Sequence, residues 1–297
     1  MQPHAVERSE AAGLVLGFLG VACFSLTLPA TIMALESFEP WLVAIGRATL
    51  AGIVAGGILL IARVPRPSRR DMATLVLAAL GVVFGFPLFT SWAMQHVPAA
   101  HGGVVLGVLP LATAVAGALF GGERPSLGFW AAAVLGSAAV VAFSVMQGGG
   151  RVQPADLALV AAVISAAVGY ALGGSLARRL GGWQTICWAL VISMPALLPL
   201  TAWRLAVNPP QAPTAIALAG FLYVALGSQL FGFFAWYKGL GLGGVARVSQ
   251  MQLLQPFLTI LAGVLLLGEA FDAVTLIFAA LVSGVVGVGR RMPVRRR

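Results

Sequence analysis

The chain has 297 residues, 60% of them hydrophobic and only 9% charged, with a formal net charge of +9. A soluble domain carries about 25% charged residues and cannot hide this much apolar surface, so lipid is the solvent for most of the chain. Ten spans of about 20 residues with short loops use the whole length and leave no room for a soluble domain.

The N-terminal MQPHAVERSE carries two acids and one Arg. The apolar run behind it is too long for the core of a signal peptide, so an uncleaved first span is expected at 12–34. Further spans are expected at 40–62, 72–95, 99–120, 127–147, 157–177, 183–203, 214–237, 246–267 and 272–290. The breaks carry turn residues: Glu39-Pro40, Pro65 to Pro67, Pro98, Pro125, Gly148 to Gly150, Gly181-Gly182, Asn208 to Pro210, and Gly241 to Gly244. Pro29, Pro87, Pro110, Pro195 and Pro256 fall inside spans, where they kink helices and can act as hinges. Pairs such as Gly13/Gly17 and Gly81/Gly85 have the spacing of close helix packing. Cys23 and Cys187 sit in apolar runs without CxxC or Cys/His spacing, and no metal or other cofactor is expected.

One pattern occurs twice. Pro110, Gly117, Gly122 and Glu123 read P-x6-G-x4-G-E, and so do Pro256, Gly263, Gly268 and Glu269, 146 positions later. The offset divides the chain into halves, 1–148 and 149–297, each with five expected spans. An odd number of spans turns the second half upside down, and inverted repeats are a mark of secondary transporters. Charge gives the orientation independently. With the N-terminus in the cytoplasm, every Lys and Arg except Arg47, Arg151 and Arg204 falls on the cytoplasmic side. The fold expected is therefore an all-α membrane protein of ten transmembrane helices, two inverted five-helix repeats, with both termini cytoplasmic. The basic tail RRMPVRRR reads as an anchor near anionic lipid, with no nucleic acid as partner.

This order of parts resembles the drug/metabolite transporter superfamily, EamA type. The resemblance rests on a Pro-containing helix, a G-E turn and a last span closing each half. Tyr237-Lys238-Gly239-Leu240 before the ninth span is similar to that family's Y-[KQ]-[AG]-L element, and Arg47 stands where these proteins often carry Arg. The first half departs from the pattern, with Ser91-Trp92-Ala93-Met94 at the corresponding place. Within the superfamily the chain resembles bacterial amino-acid exporters of the YddG type. The resemblance implies a central cavity lined by spans 1–4 and 6–9, with spans 5 and 10 peripheral. It also implies a transport role and a multi-pass position in the bacterial inner membrane.

Polar groups at membrane depth are costly and tend to face a cavity. The ninth span is richest in them. Gln252 and Gln255 lie three apart, so they share a face. Pro256 removes the hydrogen bond to the Gln252 carbonyl, which leaves an expected free carbonyl among the amides. The fourth span carries His101 and Pro110 but no glutamine. Arg47 either binds a substrate carboxylate or pairs with carbonyls or a nearby acid such as Glu36 or Glu39. Among the aromatics, Tyr170, Trp92 and Tyr237 are the preferred candidates to stack a side chain. The substrate-binding set is thus Gln252, Gln255, Tyr170, Trp92, Tyr237 and Arg47.

All nine acids fall at span ends or in loops. A carboxylate proton relay and a buried counter-ion for organic cations are both missing from that pattern. The function expected is a secondary transporter, not an enzyme. It exports small metabolites, amino acids first, by alternating access and without carboxylate proton coupling. A multidrug or organic-cation exporter of the same fold is the alternative. The partners expected are the small-molecule substrate and the bilayer, with the chain as a monomer.

Overall fold

The computed structural model describes residues 3–93, 96, 105–146, 153–210, 212–267 and 273–296. Gly268 and Glu269 of the second motif copy lie outside them, as does His101. Among the described residues, eight helices are long and apolar enough to cross a membrane. Two shorter apolar helices, Leu109–Phe120 and Ala273–Gly289, fall where the fourth and tenth spans are expected.

In chain order the helices are α1 (Pro3–Ser25), α2 (Thr27–Leu35), α3 (Pro40–Ile61), α4 (Arg69–Ala79), α5 (Phe86–Ala93), α6 (Leu109–Phe120) and α7 (Leu127–Met146). The second half gives α8 (Asp156–Leu180), α9 (Gly182–Val207), α10 (Ala215–Leu222), α11 (Phe233–Gly243), α12 (Val245–Ser249), α13 (Gln255–Leu267) and α14 (Ala273–Gly289). Two short strands, β1 (Glu123–Pro125) and β2 (Val294–Arg296), pair antiparallel. Local chemistry sets several starts. The Glu39 carboxylate accepts from Leu42 N at 3.1 Å with Pro40 in the first turn of α3. Ser68 accepts from Asp71 N at 3.1 Å and caps α4, and Thr214 accepts from Ala217 N at 3.1 Å and caps α10. Gly244, at φ 93°, turns the chain from α11 into α12 in a conformation that favours glycine.

The spans are less regular than a hydropathy reading suggests. The first breaks at Leu26 between α1 and α2, just before Pro29. The third contains a π-helix at Leu80–Gly85 and the eighth a longer one at Tyr223–Gly232. Residues 226–231 of the second lie 146 positions after 80–85, the same spacing as the repeated motif. The ninth narrows to a 3-10 helix at Gln250–Leu254. There the expectation of a free Gln252 carbonyl fails. Gln255 N donates to that carbonyl across the tighter turn, so the bond that Pro256 removes is replaced by one three residues long.

These irregular segments face one another. The Ser25 hydroxyl at the break of the first span donates to Val21 O at 2.8 Å and to Gln255 O at 3.4 Å. Thr27 donates to Ser228 of the π-helix at 2.8 Å. Glycine permits the closest approaches. A Cβ on Gly13 would lie 2.3 Å from Gly243 N, and one on Gly81 would lie 2.4 Å from Ser165 O. Packing of this kind takes the place of a hydrophobic drive, which lipid cannot supply.

Candidate functional site

Tyr170, on α8, is the centre of the polar groups inside the bundle. Arg47, on α3, interacts with it electrostatically. The Gln252 side chain, in the 3-10 segment, lies beside it as well. Gln252 is 5% exposed and its Oε1 has no hydrogen-bond partner. The Trp236 ring meets Tyr170 edge-on with centroids 5.4 Å apart. Phe24 stands 6.0 Å from Trp236 and 5.1 Å from Phe233, which completes an aromatic wall.

Three of the side chains that neighbour Tyr170 hold an unspent hydrogen bond. Arg47 Nε and Trp236 Nε1 are buried donors without a partner, and Gln252 Oε1 is a buried acceptor without one. Each such group costs about 1–3 kcal/mol when left unpaired. Their shared neighbour makes Tyr170 the candidate centre for a polar ligand. Among the described residues no carboxylate pairs with Arg47. Glu39, one of the acids considered for it, is taken by Arg204 at 2.5 Å and by the start of α3.

The other sequence candidates fall elsewhere. Tyr237 is fully buried beside Tyr170. Its hydroxyl donates to Gly169 O at 3.3 Å, and its ring occupies the space a Cβ on Gly173 would need. It thus braces the helix that carries Tyr170. Gln255 is half-buried at the junction with the first span, where its carbonyl accepts from Ser25. Trp92 is 44% exposed at the end of α5, its ring 4.5 Å from that of His96. So the structure brings together Arg47, Tyr170 and Gln252, sets Tyr237 behind them, and leaves Trp92 apart. Of the neighbouring polar residues, Gln250 and Ser249 reach across to Pro110 O at 3.5 and 3.3 Å and tie the ninth span to the fourth. Trp236 was one of many aromatics in the sequence. Only its contact with Tyr170 singles it out.

The comparisons with known proteins agree with this architecture. The model of the EamA-like transporter family matches twice, at residues 11–145 and 153–289. The chain is 47% identical over 260 residues to the uncharacterized transporter YdeK of Bacillus subtilis (strain 168), covering 86% of this chain and 89% of that one. It is 27% identical over 288 residues to a probable terminal-alkyne amino-acid exporter of Streptantibioticus cattleyicolor, covering 94% of each. One solved crystal structure superposes with a TM-score of 0.79 at 22% identity, covering 94% of this chain and 98% of the other, which speaks for the fold alone. With both halves matched and a relative at this identity, the chain belongs to the EamA-like transporter family of the drug/metabolite transporter superfamily.

Proposed function

We propose that the chain is a secondary carrier of the bacterial inner membrane that exports small zwitterionic metabolites, amino acids first among them, by alternating access around Tyr170. One observation carries the reading: Tyr170 is shared by Arg47, which has no acidic partner among the described residues, and by Gln252, whose buried amide oxygen also lacks a partner. A carboxylate accepts from Arg47 and Trp236, and an ammonium donates to Gln252 Oε1. The aromatic wall of Phe24, Phe233 and Trp236 supports an apolar or aromatic side chain. The relative at 27% identity, a probable terminal-alkyne amino-acid exporter, points the same way. The ten-helix arrangement in two inverted halves, with cytoplasmic termini and a single chain as the working unit, is part of this proposal.

An organic cation fits this centre poorly, because the deep charge is positive. Coupling through a buried carboxylate has little support. The buried acids among the described residues are Asp71 and Glu123, and both are engaged at the ends of helices. The test is counterflow in proteoliposomes against a panel of unlabelled amino acids, nucleosides and organic cations, with Arg47→Ala, Gln252→Ala and Gln255→Ala beside the parent. Competition by neutral amino acids and little response to an imposed proton gradient are the expected results. Normal transport in all three variants sinks the site, and competition by organic cations alone sinks the substrate class.

A further inference from the structure

Glu123, the acid of the first motif copy, has no part in the central site, yet it is 2% exposed. Its carboxylate accepts from Val245 N at 2.8 Å and from Ala246 N at 2.7 Å. These are orphan donors at the start of α12, and a negative charge there also meets the positive end of the helix dipole. The first half of the chain thus grips the ninth span less than two helical turns before Gln252.

Glu123 is itself held from outside. It opens β1, whose residues pair with the tail: Glu123 with Arg296, Arg124 with Arg295, Pro125 with Val294. Ser126 N donates to Pro293 O at 3.0 Å and continues the pairing. Met292 and Val294 pack in one cluster with Phe129 and Ala246. Arg247, next to the capped residues, forms an ion pair with Glu10 of α1 and donates to Met292 O at 3.4 Å. The beginning of α1, the motif turn, the start of the ninth span and the C-terminal tail therefore meet at one end of the bundle. Two strands of three residues are a weak pairing by themselves. The tail is held by this pairing and by the packing of Met292 and Val294, and the buried carboxylate cap depends on β1 keeping its place.

We propose that Glu123, held in place by the C-terminal strand, is a latch that shuts the central cavity at this end, and that detaching the strand frees the start of the ninth span to open it. The inference rests on the alternating-access reading above. Its test reads thiol accessibility and not transport, so the two fail separately.

The reporter is Ser249→Cys in full-length protein with Cys23→Ser and Cys187→Ala. Ser249 is fully buried one turn beyond the cap. A membrane-impermeant thiol reagent is applied to each face of sealed vesicles in turn. Glu123→Gln, which keeps one acceptor oxygen, and a chain ending at Met292 should each label on the order of tenfold faster, and only from the face that carries the termini. Glu123→Asp should fall between parent and Glu123→Gln. The truncated chain keeps the cap residue, so it reports on the latch even if Glu123→Gln folds poorly. Unchanged labelling with a lowered melting temperature makes Glu123 a structural staple and overturns the proposal. Equal acceleration from both faces overturns it too.

Discussion

The arginines of this protein live in two worlds. At the ends of the bundle each long-range pair is complete: Arg179 with Asp71 at 2.6 Å, Arg204 with Glu39 at 2.5 Å, Arg247 with Glu10. In the centre Arg47 interacts with Tyr170, and among the described residues no acid pairs with it. A buried charge without a counter-ion is far more costly than an exposed pair is valuable. The fold closes its charges wherever they only hold helices together. Arg47 has no such partner among the described residues, and in the proposed function a ligand supplies it. Charge at the ends ties helices together, and the charge of Arg47 is the one the proposed function uses.

The contrast breaks most severely at Arg47. Arg47→Ala should lower kcat/KM for the best amino-acid substrate in proteoliposomes by roughly 10- to 150-fold, the worth of a hydrogen bond to a charged group. Arg47→Lys should recover little of it, because the ammonium lacks the planar fork that matches a carboxylate. Gln252→Leu comes next. Loss of the acceptor for the ammonium should raise KM about tenfold with a smaller change in kcat, read from initial rates over a substrate series. Trp236→Phe keeps the aromatic wall and deletes Nε1, so it should cost about fivefold in the same assay, the share of one neutral hydrogen bond. The smallest effect belongs to the ends. Arg179 is 53% exposed, so Arg179→Ala should leave transport unchanged and shift the melting temperature by no more than about 2 °C. A large transport loss at Arg179, or none at Arg47, would reverse the division.

Much of the frame was legible because it follows from composition and period. Apolar runs bounded by Pro and Gly give eight candidate spans and two shorter apolar helices among the described residues, and the family model matches the chain twice, once over Pro110 and once over Pro256. The site was legible only in part. Arg47 and Gln252 stand out as polar residues among apolar ones, but nothing in their positions, 205 residues apart in sequence, says they share a tyrosine. Trp92 and Trp236 look alike in sequence; burial alone separates them. The Gln252 carbonyl could not be read from Pro256, since a helix can tighten by one residue and recover the bond. Glu123 stands out as the acid of the repeated motif, but its task does not, because its partners, Val245 and Ala246, come 122 and 123 residues later. Local spacing carries no trace of such a contact.

The division of charges also sets how the protein responds to ionic strength. At 1 M salt the screening length falls to about 3 Å, which weakens attraction between exposed groups but leaves buried hydrogen bonds almost untouched. The half-exposed pair of Arg179 with Asp71 is the part that brine can loosen. The two backbone donors on the buried Glu123 carboxylate and the guanidinium of Arg47 beside Tyr170 are shielded from it. A concentrated electrolyte thus slackens the rim of the bundle while its interior keeps its grip.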